Sequence, residues 1–228
     1  MTLKENFNFL CFLFCVTSLS YGQNEQKETE VGFGLLDIRI GKIVRVENIP
    51  QTSDYYQLKV RFGDMPVRTI VSGLAEIMKI DEFEGRLTPF LLNIDPQNIY
   101  NISSHGSVLY TQGPDSEEGY TMTELLNPPL GAQPNDVVLI EGINYEPKTS
   151  LDFATTEKIF QDLTIDMNRI AKYQRKKYLN VSGKGILLST YVKAAPIICE
   201  SCPNNPGLKK EFIVKKKNIK ELNELFNL

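Results

Sequence analysis

His105 is the single histidine of the chain and lies in the stretch 91–108, LLNIDPQNIYNISSHGSV. An imidazole works as a general base only beside a group that orients it and a nucleophile whose proton it can take. No such pairing is visible around His105, so a structural place in a loop is the expectation. Four cysteines are present. Cys11 and Cys15 fall in an apolar N-terminal run, and Cys199 and Cys202 form a lone C-x-x-C. A structural zinc takes four ligands, and beyond that run the chain offers Cys199, Cys202 and His105. A redox pair would want a βαβ pattern around it, and none is visible, which leaves free thiols or a short-loop disulfide. No P-loop or dinucleotide fingerprint occurs. The chain reads as a non-enzyme with no cofactor and no metal, and the chemistry left to it is binding by Lys, Arg and polar loop groups.

Charge limits what it can bind. Formal net charge is -3 and the pI is about 5.4. A nucleic-acid binder shows a basic balance or a clustered basic face; the balance is absent, so a clustered face is the one route open. Residues 33–196 hold 17 Lys+Arg against 20 Asp+Glu, and residues 197–228 hold 6 against 4. The densest basic run of the body is Lys172, Arg175, Lys176 and Lys177. A basic tail is more often a solvated end than a nucleic-acid arm.

The N-terminus has the pattern of a signal peptide. A short polar start with Lys4 precedes the apolar run Phe9–Val16, and Ser20-Tyr21-Gly22 offers small residues for a cut before Gln23. The run is shorter than the ~20 apolar residues a spanning helix needs, and no other candidate membrane span is seen. A disordered apolar tail is the competing reading.

The elements that must position any site are mostly short strands. Leu35–Val46 alternates apolar and charged residues, and the phase slips at Gly41, which predicts a long strand with a bulge or sharp coil at that glycine. Residues 56–62 and 67–71 are strands two and three. Leu74, Ile77 and Met78 fall on one face and predict a short helix or turn packed against the barrel. Residues 87–94 are strand four, with Pro89 implying an edge or irregular start. Strand five is 107–111, a polar loop covers 113–118, and residues 137–140 form a further strand. Met167, Ile170 and Tyr173 stand at helical spacing, residues 186–192 read as a strand, and the tail carries a short helix over Ile219–Phe226. Short strands punctuated by Gly and Pro argue for an all-β protein with short helices, a small Greek-key barrel of the OB type.

Several strings then match a known family. Leu36–Ile43 (LDIRIGKI) and Arg68–Leu74 (RTIVSGL) resemble the opening strand and third strand of the tRNA-binding OB domain. That domain is found in some methionyl- and tyrosyl-tRNA synthetases and in the endothelial-monocyte-activating polypeptide group. Asn93-Ile94-Asp95-Pro96 is similar to its N-L-K-P, Pro128–Asp136 to its P-P-x-G-x-x-P-G-D turn, and Gly183-Lys184-Gly185 to the G-K-G of the extension behind the barrel. The resemblance implies an OB-fold β-barrel plus a small α+β C-terminal extension that would make the chain a monomer. The expected organisation is 1–22 signal peptide, 23–33 flexible lead-in, 34–142 OB domain, 143–196 appended subdomain and 197–228 basic tail.

The resemblance also implies tRNA binding by Arg39, Lys42, Arg68, Ser72, Asn93, Pro96, Ser104, Gly106 and Lys184. The loop departs from the family's N-L-K-P-x-K-M-R-G-x-x-S-x-G-M. Asp95, Asn98 and Tyr100 stand where it has cations, Asn101 replaces a glycine and Ser107 a methionine. Fewer phosphate contacts mean weak binding. The implied partners are tRNA and an aminoacyl-tRNA synthetase. The alternative is a secreted, cytokine-like interaction protein that has lost tRNA binding and meets a cell-surface receptor. The signal-like start and the sequons at Asn101 and Asn180 favour the secretory pathway; tRNA as partner favours the cytoplasm.

Overall fold

The computed structural model describes residues 31–114 and 121–201. The signal-peptide segment, most of the lead-in, part of the 113–118 loop, the tail helix and Cys202 lie outside the described residues. The chain forms β1 (Ile38–Asn48), β2 (Tyr56–Arg61), β3 (Arg68–Ser72), β4 (Leu87–Leu91), β5 (Gln97–Ile99), β6 (Ile102–Ser104), β7 (Ser107–Pro114), β8 (Thr121–Leu125) and β9 (Val138–Leu139). There follow α1 (Phe153–Phe160), β10 (Leu163–Ile165), β11 (Ala171–Tyr173), β12 (Lys177–Tyr178), β13 (Asn180–Val181) and β14 (Ala195–Cys199). The main sheet runs β12-β11-β10-β14-β7-β4-β1-β2-β3, with β8 on β7. Every named strand pair in it is antiparallel. The protein is therefore mostly β, an OB-type barrel with a small mixed extension. Among the described residues no helix is long and apolar enough to cross a membrane.

β1 lies at the centre because both its faces are buried over its first half. Ile38 and Ile40 point into one apolar cluster with Leu163, Ile165 and Leu187 of the extension. Ile43 and Val46 point into the barrel with Leu58, Val60, Phe62 and Phe90. Gly41 falls where the two cores meet. A Cβ there would lie 2.6 Å from Phe62 and Val60 and 2.8 Å from Phe90, and the Phe62 and Phe90 rings meet edge to face at 5.6 Å. The bulge expected at Gly41 is instead at Val44, where the register on β2 shifts between Ile43 and Arg45. The glycine thus makes room for aromatic rings, while the extra residue is taken up three positions later.

Pro89 sits in β4 opposite Ile40 of β1, and β7 joins β4 from Phe90 onward. The missing N–H therefore falls where that edge has no partner strand. Strand four stops at Leu91: the Leu92 N–H still meets Asp37 O in register, but the Asp37 N–H goes to Asn93 Oδ1 instead of completing the pair. Of the two readings for 74–80 the turn is realised: the Leu74 carbonyl accepts from both Ile77 and Met78. The helical spacing of Met167, Ile170 and Tyr173, by contrast, is overturned. Asp166 Oδ1 accepts from the N–H groups of Asn168 and Ile170 at 2.8 and 2.9 Å, an Asx turn that competes with helix, and β11 follows. Residues 186–192 form no strand. Leu188 makes single bridges to Asn127 and to Ile170, so it is tied on two sides without a ladder.

Among the strands that sequence reasoning missed, β14 has the largest consequence. It lies between β7 and β10 and so joins barrel and extension in one sheet. It also spans the point between 196 and 197 where the tail was expected to start.

Gly41→Ala is expected to destabilise the fold by about 1–3 kcal/mol through overpacking. Urea unfolding checks this: the midpoint should fall while the m-value holds.

Candidate nucleic-acid interface

The hairpin β5–β6 and the residues around it build the loop that the sequence singled out. Asn93 is buried and fully engaged. Its Oδ1 accepts from the Asp37 N–H at 2.8 Å, and its Nδ2 donates to Leu35 O and Lys148 O at 2.8 and 2.9 Å. Ser104 is buried, accepts from the Val71 N–H at 3.0 Å and donates to Gly106 O at 3.2 Å. Gly106 has φ +147, and a Cβ on it would sit 2.8 Å from Leu91 O, so glycine is required there. Ser72 is buried at the end of β3. Asn93, Ser104 and Gly106 hold the frame of the loop together, while the Ser72 hydroxyl makes no geometric hydrogen bond among the described residues.

The candidate cations divide. Arg39 is half-buried, with Nε on Asp37 Oδ1 at 2.7 Å and Nη1 on Asn135 Oδ1 at 2.8 Å. The Tyr145 hydroxyl donates to the same Asp37 oxygen at 2.8 Å and is pushed up to about 12 by burial and then by Asp37. Lys184 pairs with Asp136 at 2.7 Å, tying the G-K-G turn to the Pro134–Asp136 turn. Arg68 donates to Leu92 O and His105 O at 3.3 and 3.4 Å. It lines an open cleft of about 640 Å³ with Asn93, Pro96 and His105. His105 is exposed, and its N–H donates to Thr69 O, which is a backbone role. Lys42 is exposed and pairs with no described carboxylate. Of the expected residues, Lys42, Arg68, Pro96 and Lys184 keep surface to offer a ligand, although the Lys184 charge is already matched by Asp136.

The structure then gathers cations that the linear sequence scattered. Lys42 on β1 is opposite Arg61 on β2, and Arg45 is opposite Lys59. Directly opposed residues share a face, and Lys59 and Arg61 are two apart on one strand, so all four point outward together. The Val44 bulge makes this possible; without the extra residue Arg45 would fall opposite Leu58 and point inward. Arg45 is paired with Glu47 at 2.8 Å, and Lys59 donates to Thr69 Oγ1 at 2.9 Å. Like charges directly opposed are unfavourable, so this face is set against stability. The alternation of 56–62 was legible in the sequence; the cross-strand register that pairs it with Lys42 and Arg45 was not.

The other basic cluster is at the far end of the sheet order. Lys172 is used by Asp166 at 2.7 Å and lies 5.0 Å over the Tyr178 ring. Arg175, Lys176 and Lys177 are exposed on the β11–β12 turn. They are not a helix end, because Gln174 and Arg175 have φ 49 and 56.

An acidic group is buried beside the loop. Glu200, just past β14, accepts from the Gly73 N–H. Ser201 follows, its N–H on Ser107 Oγ at 3.0 Å and its carbonyl accepting from Gln97 Nε2 at 3.2 Å. Burial pushes the Glu200 carboxyl up to about 8, while the Gly73 N–H and Ser72 hydroxyl pull the other way. Cys199 is a buried free thiol.

An antiparallel OB-type barrel with an exposed cationic sheet face and a polar loop defines the class of the fold. Residues 38–134 match a family model for a tRNA binding domain, and over that span the chain carries a domain of the tRNA-binding family. It is 32% identical over 159 residues to the cytoplasmic tyrosine–tRNA ligase of Xenopus tropicalis, covering 68% of this chain and 29% of that protein. It is 30% identical over 153 residues to the aminoacyl tRNA synthase complex-interacting multifunctional protein 1 of Cricetulus griseus, covering 66% of this chain and 41% of that one. The chain thus spans less than half of either relative. The crystal structure of the C-terminal domain of Plasmodium vivax p43 superposes with TM-score 0.63 at 25% identity, covering 72% of this chain and 97% of that domain.

A carboxyl whose folded pKa is raised contributes stability that is full below its unfolded value and lost as pH rises through the folded one. Stability is therefore expected to fall between about pH 4.5 and 8 because of Glu200. Glu200→Gln should flatten that part of a melting-temperature series, raising the midpoint at pH 9 and leaving it nearly unchanged at pH 4.

Proposed function

We propose that this chain is a non-catalytic RNA-binding protein that holds tRNA weakly and without reading its sequence. The outer face of β1–β2, rather than the 91–108 loop, would be the main contact. The observation that carries this is the cationic quartet Lys42, Arg45, Lys59 and Arg61, drawn onto one exposed face in two opposed pairs. Phosphate binding of this kind is driven by counterion release and carries no base information. In the loop, Asp95 and Tyr100 stand exposed where the family resemblance led us to expect cations, which supports low affinity there. Names of relatives include cytoplasmic tRNA ligases and a synthetase-complex protein. They favour the cytoplasm as the compartment and an aminoacyl-tRNA synthetase as a protein partner, and the extension behind the barrel favours a monomer.

Four phosphate contacts give a log–log salt slope of about -3, so raising salt fourfold should weaken tRNA binding roughly 60-fold. Fluorescence anisotropy with bulk tRNA across salt measures it. Lys59→Gln with Arg61→Gln should flatten the slope by about 1.5, while Arg175→Gln, Lys176→Gln and Lys177→Gln together should leave it unchanged. If the second set carries the loss, the contact lies at the β11–β12 turn and the proposal fails.

A further inference from the structure

We propose that Tyr100, backed by Tyr55, is a stacking platform for an unpaired nucleobase at the end of the cationic face. The RNA taken there would be single-stranded at that point. This rests on the RNA-binding reading above and adds what part of the RNA is recognised.

Tyr100 occupies the turn of the β5–β6 hairpin with φ 49. Positive φ is uncommon for a bulky residue, and nothing about the turn itself calls for a large side chain. Yet the ring remains 44% exposed. Tyr55 supports it from behind, with centroids 5.7 Å apart and planes tilted by 58°. A ring that served the core would be covered; this one is braced on one side and open on the other. The hairpin is fastened along β3, by Ser104 Oγ on the Val71 N–H and by the His105 N–H on Thr69 O. Its base is fastened to Ser201 through Gln97. The tip is therefore fixed relative to the sheet that carries the cations.

The line of approach also fits. Tyr55, Gln57, Lys59 and Arg61 alternate with the buried Tyr56, Leu58 and Val60, so the aromatic pair continues the row that holds two of the four cations. Steps of two residues along a strand are about 6.7 Å. The two ends of the row differ in chemistry. Lys42 and Arg61 face each other at one end. At the other, Asp54 sits next to Tyr55 in an exposed turn, where it disfavours phosphate but not a neutral base. Base–aromatic stacking is sequence-tolerant because every base has a π-face, which agrees with binding that reads no sequence.

The test compares a 12-nucleotide single-stranded RNA with a blunt RNA duplex of the same length, by anisotropy at two salt concentrations. Tyr100→Ala should weaken single-strand binding by about 5- to 150-fold, with the salt slope unchanged and duplex binding unaffected. Tyr100→Phe should retain wild-type affinity, since the ring is kept. Thermal melts of both variants should stay close to the wild type, as the side chain is about half-exposed and outside the core. Single-strand affinity unmoved by Tyr100→Ala, or duplex binding reduced equally, overturns the platform while leaving phosphate binding intact. Failure of the unaltered protein to bind either RNA overturns both proposals.

Discussion

Two phenylalanine rings packed over a glycine set the geometry of this protein. Phe62 and Phe90 meet edge to face in the space where a side chain on Gly41 would stand. That contact lets β1 be buried on both faces, with Ile38 and Ile40 toward the extension and Ile43 and Val46 toward the barrel. It also pins the register of β1 on β2 and β4. A one-residue slip would send every side chain to the opposite face, and the exposed cations would go into the core. The bulge at Val44 does the complementary job. It restores phase after Gly41, so that Lys42 and Arg45 emerge on one side while Ile43 and Val46 stay inside.

The frame around the loop is built by side chains that look like ligand-binding residues. Asn93 bonds three backbone groups in two separate segments, Ser104 bonds two backbone groups, Arg39 is held between Asp37 and Asn135, and Lys184 is held by Asp136. Each is a polar group whose burial or pairing would be unfavourable without these partners. Most of these hydrogen bonds cross the chain, from 33 positions for Ser104 to Val71 to 96 for Arg39 to Asn135. This explains why separated motifs appear together: they are the two halves of the same fastenings. The family resemblance is thus a resemblance of frame, and it is compatible with a loop whose charges have changed.

The C-terminal side of the chain completes the same frame from an unexpected direction. β14 enters between β7 and β10, and Glu200 and Ser201 then lie against Gly73, Ser107 and Gln97. A carboxyl buried against a backbone N–H next to the candidate binding face couples that corner to pH, while the aromatic pair nearby offers a neutral surface. The face is therefore graded, from cations at the Lys42–Arg61 end to rings at the Tyr55–Tyr100 end.

By itself the sequence determined the all-β class, the alternation of β1 to β3 and the family of the barrel. These rest on local periodicity and on short motifs, which the linear chain displays directly. It also displayed the charge change at Asp95, Asn98 and Tyr100. It could not show that Gly41 is a packing site and Val44 the bulge, because both produce the same phase slip in a one-dimensional pattern. Nor could it show that Arg39, Asn93 and Ser104 are consumed by the scaffold, since a hydrogen bond across 56 positions, as from Asp37 to Asn93, leaves no local trace. The placement of Lys42, Arg45, Lys59 and Arg61 on one face was decided by cross-strand register alone. Register is a tertiary quantity: it is fixed by which rings fit over which glycine, and no strand carries that information alone.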